Sequence, residues 1–145
     1  MNFDEIVTHA RQDVLSPDEI NLDEWSLKIP QMHQKWSYLF YQEKLKLGKL
    51  EKNFNKLLRV MYEYYNGKLC EDDLKQYNLQ PFDKKILKKD IEYYLKADDL
   101  LQDINEEITN QKEIVSFIER KIKEVMNMQW NIRSAIDHRK FISGG

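Results

Sequence analysis

Between Gln31 and Tyr65 the apolar residues of this chain fall at alternating intervals of four and three. Trp36, Phe40, Leu47, Leu50, Phe54, Leu57, Met61 and Tyr64 fill eight of nine places in that register, and Glu43 takes the ninth. Such spacing lays one apolar stripe along one side of an α-helix, the pattern of a coiled-coil-like seam. At about 1.5 Å per residue the helix is roughly 50 Å long, so it needs an equally long partner. That partner is legible farther on. Leu101, Ile104, Ile108, Val115, Ile118, Ile122, Val125, Ile132 and Ile136 keep the same register, with Gln111 and Gln129 interrupting it.

Asn66-Gly67 reads as a helix C-cap, because Gly takes the left-handed conformation without strain. The connection over residues 67–82 is short relative to both arms, with one helical turn expected near Leu74. The pattern therefore predicts an all-α fold in which two long antiparallel helices form a coiled-coil-like hairpin. The first long helix spans 31–66. The second spans 83–142, either continuous or bent near Asn127. Residues 143–145 form a frayed, disordered tail.

Residues 1–30 are read as short acidic helices. Phe3 to about Val14 is amphipathic, and Ser16-Pro17-Asp18-Glu19 is a capping box with Pro at the first helical position. Pro30 restarts the chain at another first-turn position. All of this fits a single domain over 1–143.

Around residues 114–136, Ile114, Phe117, Met126, Met128, Trp130 and Ala135 add apolar surface beside the seam. A two-stranded seam uses only two places per heptad. The acidic N-terminal helices are too small to cover that length, so the expected cover is other subunits. Self-association through the C-terminal helix follows as an expectation.

Charge changes the picture next. The formal net charge is −2, which gives no overall attraction to nucleic acid, but the charges are unevenly placed. Residues 1–30 hold two Lys/Arg against seven Asp/Glu, residues 31–68 eight against three, and residues 69–145 thirteen against fifteen. A local patch matters more to an anionic ligand than the total. Within the basic stretch, Lys49, Lys52, Lys56 and Arg59 share one helix face opposite the seam, followed by Tyr62, Tyr64, Tyr65 and Lys68. Cations along a ridge suit backbone phosphates, and aromatic faces suit unstacked bases. Read from pattern alone, the same ridge also fits an ordinary solvated helix face. A ring of subunits repeating it would bind through multivalency.

Other chemistry is sparse. Asn66-Gly67-Lys68 lacks the spaced glycines of a phosphate loop. His9, His33 and His138 are scattered, with no ligand at metal-binding spacing. Asp98-Asp99 and Glu106-Glu107 are sequence neighbours that diverge around a helix and read as a solvated acidic face. The expectation is a protein that is not an enzyme and uses no cofactor or metal. Cys70, the single cysteine, reads as a loop residue in a reducing compartment. The start MNFDEIVTHARQD is not a signal peptide, and no apolar run reaches membrane-span length. A cytoplasmic protein without membrane contact is expected, in the host cytoplasm if phage-encoded.

Four blocks in order, KIPQMHQKW at 28–36, YEYYNGK at 62–68, YLKADDLL at 94–101 and NIRSAIDHRKFISG at 131–144, make the chain resemble the UvsY family of phage recombination mediators. The resemblance runs from about Glu5 to Gly144. It implies a ring-like homo-oligomer, hexameric or heptameric, assembled through the C-terminal part. It also implies binding of single-stranded DNA and loading of a RecA-like, UvsX-like recombinase onto DNA covered by the phage single-strand-binding protein. Basic residues just before the paired tyrosines carry DNA binding in the family, a neighbourhood held here by Lys56 and Arg59. The chain has Met61 where some relatives are basic. The DNA-binding candidates are thus Lys49, Lys52, Lys56, Arg59, Tyr65 and Lys68. The oligomerisation candidates are Ile118, Ile122, Val125, Trp130, Ile132, Ile136 and Phe141. Arg133, Arg139 and Lys140 either meet phosphate or cap the helix end. The rival reading is a structural coiled-coil scaffold without nucleic-acid binding.

Overall fold

The computed structural model describes residues 1–14 and 22–144. Among these residues the elements are helical: α1 (Phe3–Gln12), α2 (Leu22–Tyr65), α3 (Glu71–Gln76), α4 (Ile91–Ala97) and α5 (Asp99–Ile142), with a 3-10 turn at Lys88–Asp90 before α4. They build two compact units. One comprises Met1–Leu45 and Gln111–Gly145, the other Lys46–Asn110. The capping box at 16–19, and the short helix expected after it, lie outside the described residues.

In the first unit, α1 starts from a reciprocal cap. The Glu5 amide donates to Asn2 Oδ1 at 2.8 Å, and the Asn2 amide donates to Glu5 Oε2 at 3.1 Å. This satisfies two of the four orphan donors at a helix start. The α1 face carrying Ile6 and Ala10 is buried in one cluster with Leu22, Ile29, Met32, Trp36 and Leu39 of α2 and Ile114, Ile118, Val125, Met128 and Ile132 of α5. Ser26, Ile29 and Pro30 line one hollow with Gln129, Ile132 and Ile136, while Glu43 meets Gln111, so the two long helices run antiparallel here.

Two expectations are corrected in this unit. Pro30 does not restart the chain; it is internal to α2, which begins at Leu22. A mid-helix proline forfeits a backbone hydrogen bond at about 3 kcal/mol. Burial of Ile29, Met32 and Trp36 on either side offsets that loss, at about 1.5–3 kcal/mol per large apolar side chain. The longer α2 also changes the account of the apolar excess. With α1 it covers Ile114, Met128 and the core-facing side of α5 from within the same chain, so that surface does not require another subunit.

Among the described residues, no buried side-chain N or O atom of this unit lacks a hydrogen-bond partner. Trp36 Nε1 donates to Asp13 Oδ2 at 2.8 Å, and Lys35 Nζ pairs with the same oxygen. Lys121, almost wholly buried, donates to the Asp13 carbonyl at 2.7 Å and pairs with Glu124 at 3.0 Å. Burial alone would push the Asp13 carboxyl up; the bonds from Lys35 and Trp36 and the charges of Lys35 and Lys121 outweigh it and hold it below its ordinary value. Glu43, the polar exception in the first seam, is only 2 % exposed. Its partners include the Met1 ammonium, 3.7 Å from Oε1, and Gln111, the first exception in the second seam. Gln111 Nε2 donates to Glu43 Oε2 and to the Glu43 carbonyl, both at 2.8 Å.

In the second unit the core is smaller. Val60, Met61 and Leu101 are buried, rimmed by half-buried Phe54, Leu57, Leu58, Tyr64, Tyr65, Leu69, Tyr77, Leu79 and Leu95. Helix α2 ends where Gly67 adopts φ 71°, with the Gly67 amide on the Tyr64 carbonyl and the Lys68 amide on the Glu63 carbonyl. The chain then turns through α3, opened by exposed Cys70.

The second long helix does not begin at 83. Residues 79–87 form no helix, and α4 is separated from α5 at Asp98. Asp98 is extended, with φ −69° and ψ 126°. Its Oδ1 accepts the Leu101 amide at 2.9 Å, the geometry of an N-cap. Its Oδ2 accepts the Tyr65 hydroxyl at 2.6 Å. Asp98 is therefore a buried cap rather than part of a solvated acidic face. Past it, α5 is continuous through Asn127 to Ile142.

Candidate nucleic-acid interface

The ridge candidates of α2 lie in the second unit. Seam residues Phe54, Leu57 and Met61 turn inward, which leaves Lys49, Lys52, Lys56 and Arg59 exposed on the opposite side of the helix. Lys49, Lys52 and Lys56 make no ion pair among the described residues. Arg59 approaches Glu63 at 3.9 Å, one turn on, across an exposed surface. Such a pair contributes about 0.3–0.5 kcal/mol. Glu63 is thus the first carboxylate on the ridge and marks its end. Lys68 is also exposed, just past the glycine cap.

Tyr65 stands apart from the other candidates. Its ring packs 5.1 Å from Tyr64, 5.2 Å from Phe82 and 5.5 Å from Tyr94. Burial, and then the bond to Asp98, push its hydroxyl well above its ordinary pKa, so it stays a donor. The half-buried ring joins the core of its unit, and the exposed aromatic beside the ridge is Tyr62. Met61 is fully buried. In this chain that position points into the core, which leaves Lys56 and Arg59 as the cations of the neighbourhood.

A second group of exposed lysines lies in the same unit. Lys84, Lys85, Lys88 and Lys89 occupy the non-helical stretch and the 3-10 turn before α4. A charge count over the whole of 69–145 averages them away, although the run DKKILKKD is plain to read.

The oligomerisation candidates of the first unit divide into two sets. Ile118, Val125 and Ile132 are buried, and Ile122 and Ile136 pack against the same cluster, so these five belong to the unit's own core. Trp130 and Phe141 are 64 % and 82 % exposed. Met126 and Ile142 are exposed as well. Arg133 sits over the Trp130 ring at 5.5 Å. Within this unit the outward apolar surface of α5 is therefore Met126, Trp130, Phe141 and Ile142, and a 3.6-residue reading of the face already separates Trp130 from Val125 and Ile132.

No group of His, Cys, Asp and Glu able to hold a metal ion occurs among the described residues. No helix among them is long and apolar enough to cross a membrane. The class is thus an all-helical protein carrying an exposed cationic helix ridge whose only ion pair among the described residues is the Arg59–Glu63 contact at its end.

The particular family follows from comparison. Residues 11–145 match the profile of the family described as "Recombination, repair and ssDNA binding protein UvsY", and the chain belongs to that family. Its fold is that of the bacteriophage T4 recombination mediator protein UvsY. Superposition on the Lattice Type II crystal structure gives a TM-score of 0.83 at 16 % identity, covering 99 % of this chain and 98 % of that one. The Lattice Type IV structure gives the same score and identity over 97 % and 99 %. Comparison with curated proteins finds no match.

Proposed function

We propose that the chain is a recombination mediator that binds single-stranded DNA as a homo-oligomer and promotes loading of a RecA-like recombinase onto DNA covered by single-strand-binding protein. The observation that carries this reading is the exposed ridge Lys49, Lys52, Lys56 and Arg59, which lacks any internal carboxylate partner before Glu63. In a chain of the UvsY family, a ridge whose three lysines make no ion pair among the described residues has a role that folding does not require. Four cations bind weakly and in a salt-sensitive way; several copies multiply the effect without new contacts. Trp130 and Phe141, exposed on α5, support joining of copies through that helix. Held on such a surface, the strand would be bent away from the single-strand-binding protein and offered to the recombinase.

The test is an anisotropy titration of labelled oligo-dT at several salt concentrations, with light scattering on the same samples. The unsubstituted chain should bind as an oligomer. Changing Lys52, Lys56 and Arg59 to Ala should weaken binding and flatten the salt dependence by about 0.7 in log–log slope for each phosphate left without its cation. An oligomer that ignores single-stranded DNA at low salt would leave a structural scaffold as the function.

A further inference from the structure

We propose that Lys84, Lys85, Lys88 and Lys89, with Tyr93, form a second binding surface for single-stranded DNA, separate from the α2 ridge. The inference rests on the reading above and adds a site to it.

The segment is fixed at both ends and open between them. At its start, Phe82 packs 5.5 Å from Tyr64 and 5.2 Å from Tyr65. At its end, Ile91 is buried, Tyr94 lies 5.5 Å from Tyr65, and Leu95 packs into the core of the unit. The residues between these anchors form no helix until the 3-10 turn at Lys88. All four lysines are exposed, and none makes an ion pair among the described residues. Lys84 alone has a ring contact, with its Nζ 5.8 Å from the centre of Tyr94. Tyr93, the residue before Tyr94 in α4, is turned outward and is 71 % exposed.

Fold stability does not explain this arrangement. Four like charges within six residues repel one another, and no carboxylate of the unit answers them. Asp83 and Asp90 flank the run without pairing to it. An exposed tyrosine also leaves apolar ring surface in water. Both features are useful to a polyanion that carries unstacked bases. The lysines neutralise successive phosphates, and the Tyr93 face receives a base. Anchoring at Phe82 and Tyr94 limits the ordering cost on binding. An acidic peptide would satisfy the lysines but would have no use for the outward ring, so single-stranded DNA is the better fit.

The experiment uses the full chain and labelled oligo-dT at fixed low and moderate salt. Changing all four lysines to Gln should weaken binding about tenfold or more at moderate salt and lower the salt slope by roughly 0.7 for each phosphate no longer neutralised. Tyr93→Ala should cost about tenfold while Tyr93→Phe keeps most of the affinity, as stacking requires. Circular dichroism confirms that each variant is folded. If the unsubstituted chain fails to bind at all, the underlying function is wrong. If it binds and the Gln variant keeps both affinity and slope, only this second surface is overturned. Unchanged DNA binding with loss of a fluorescent oligo-glutamate peptide would assign the segment to an acidic protein partner instead.

Discussion

The two compact units carry almost the same formal charge and use it in opposite ways. Residues 46–110 hold twelve Lys/Arg against thirteen Asp/Glu, which leaves eleven against twelve for the other unit, so net charge does not distinguish them. Placement does. In the first unit, Glu43 and Lys121 are buried and partnered by half-buried Gln111 and by the Asp13 carbonyl, and exposed Lys35 closes over the Asp13 carboxylate. In the second, the ridge lysines and Lys84, Lys85, Lys88 and Lys89 stand in water with almost nothing to pair with. A desolvated charge must find a partner within the chain, and it then specifies structure. A solvated charge keeps its field for a ligand. The same residue types thus serve cohesion in one unit and availability in the other.

The largest effect that tests this contrast is loss of the Trp36 side chain. The ring is completely buried, and its Nε1–H holds Asp13. Trp36→Ala should cost about 3–5 kcal/mol from the cavity, before the lost Nε1–H bond to Asp13 is counted. Urea unfolding followed by circular dichroism, at one fixed protein concentration, measures it. The same change at Tyr62, exposed in the other unit, should stay within about 0.5 kcal/mol. Comparable losses at both positions would erase the distinction.

Much of this architecture is legible in the sequence because period is a local property. The seam positions of both long helices, the glycine cap at 67 and the amphipathic α1 all follow from spacing. The remainder depends on which residues meet. Glu43 and Gln111 each stand out as a flaw in their own helix, but only the register between the helices reveals that one answers the other. Pro30 reads as a break because its cost is local, whereas the compensating burial of Ile29, Met32 and Trp36 comes from α5 across the unit. Asp98 reads as solvated beside Asp99, yet it caps α5 while accepting Tyr65, a residue far away in sequence. The basic ridge is visible as a helix face. That Tyr65 turns inward and Tyr62 outward is not, because the packing partners Phe82 and Tyr94 arrive from a later segment. In the same way, the helical period sets Ile118 and Trp130 on different faces of α5, but only the placement of α1 and α2 shows which face is the core.

The Glu43–Gln111 pair offers the next largest effect. Gln111→Ala removes the bond to the buried Glu43 Oε2 and should cost about 1–3 kcal/mol. Replacing both residues with Leu should be near neutral or stabilising, because an apolar pair carries no desolvation penalty. The double variant should lose certainty of register, as coiled coils do when a buried polar position is removed. Cysteine cross-linking of positions one heptad out of register reads this out. A double variant that is unstable but uniquely aligned would contradict the assigned role.

Acid should act on the first unit in a defined window. The folded pKa of Asp13 is depressed, so its stabilising contribution is present above the unfolded value near 3.8 and is lost as pH falls through the lower folded value. Asp13→Asn should flatten the pH dependence of stability in that acid range while lowering stability at neutral pH. Thermal melts from neutral to strongly acidic pH, on both proteins, decide the point.

The smallest effect is at Glu63, the carboxylate that ends the ridge. Its approach to Arg59 is long and exposed, so Glu63→Gln should change folding stability by no more than about 0.5 kcal/mol. For DNA the expected sign is opposite to that of every lysine change. Removing the one negative charge in line with Lys52, Lys56 and Arg59 frees Arg59 and deepens the local positive potential. Affinity for oligo-dT at low salt should rise by about two- to threefold, with the gain fading above about 0.15 M salt as exposed charges are screened. A gain that persists at high salt would point to a direct interaction at position 63 instead of a field effect. Weaker binding would mean that Arg59 needs Glu63 to hold it in position, so that this end of the ridge is organised in the manner of the first unit.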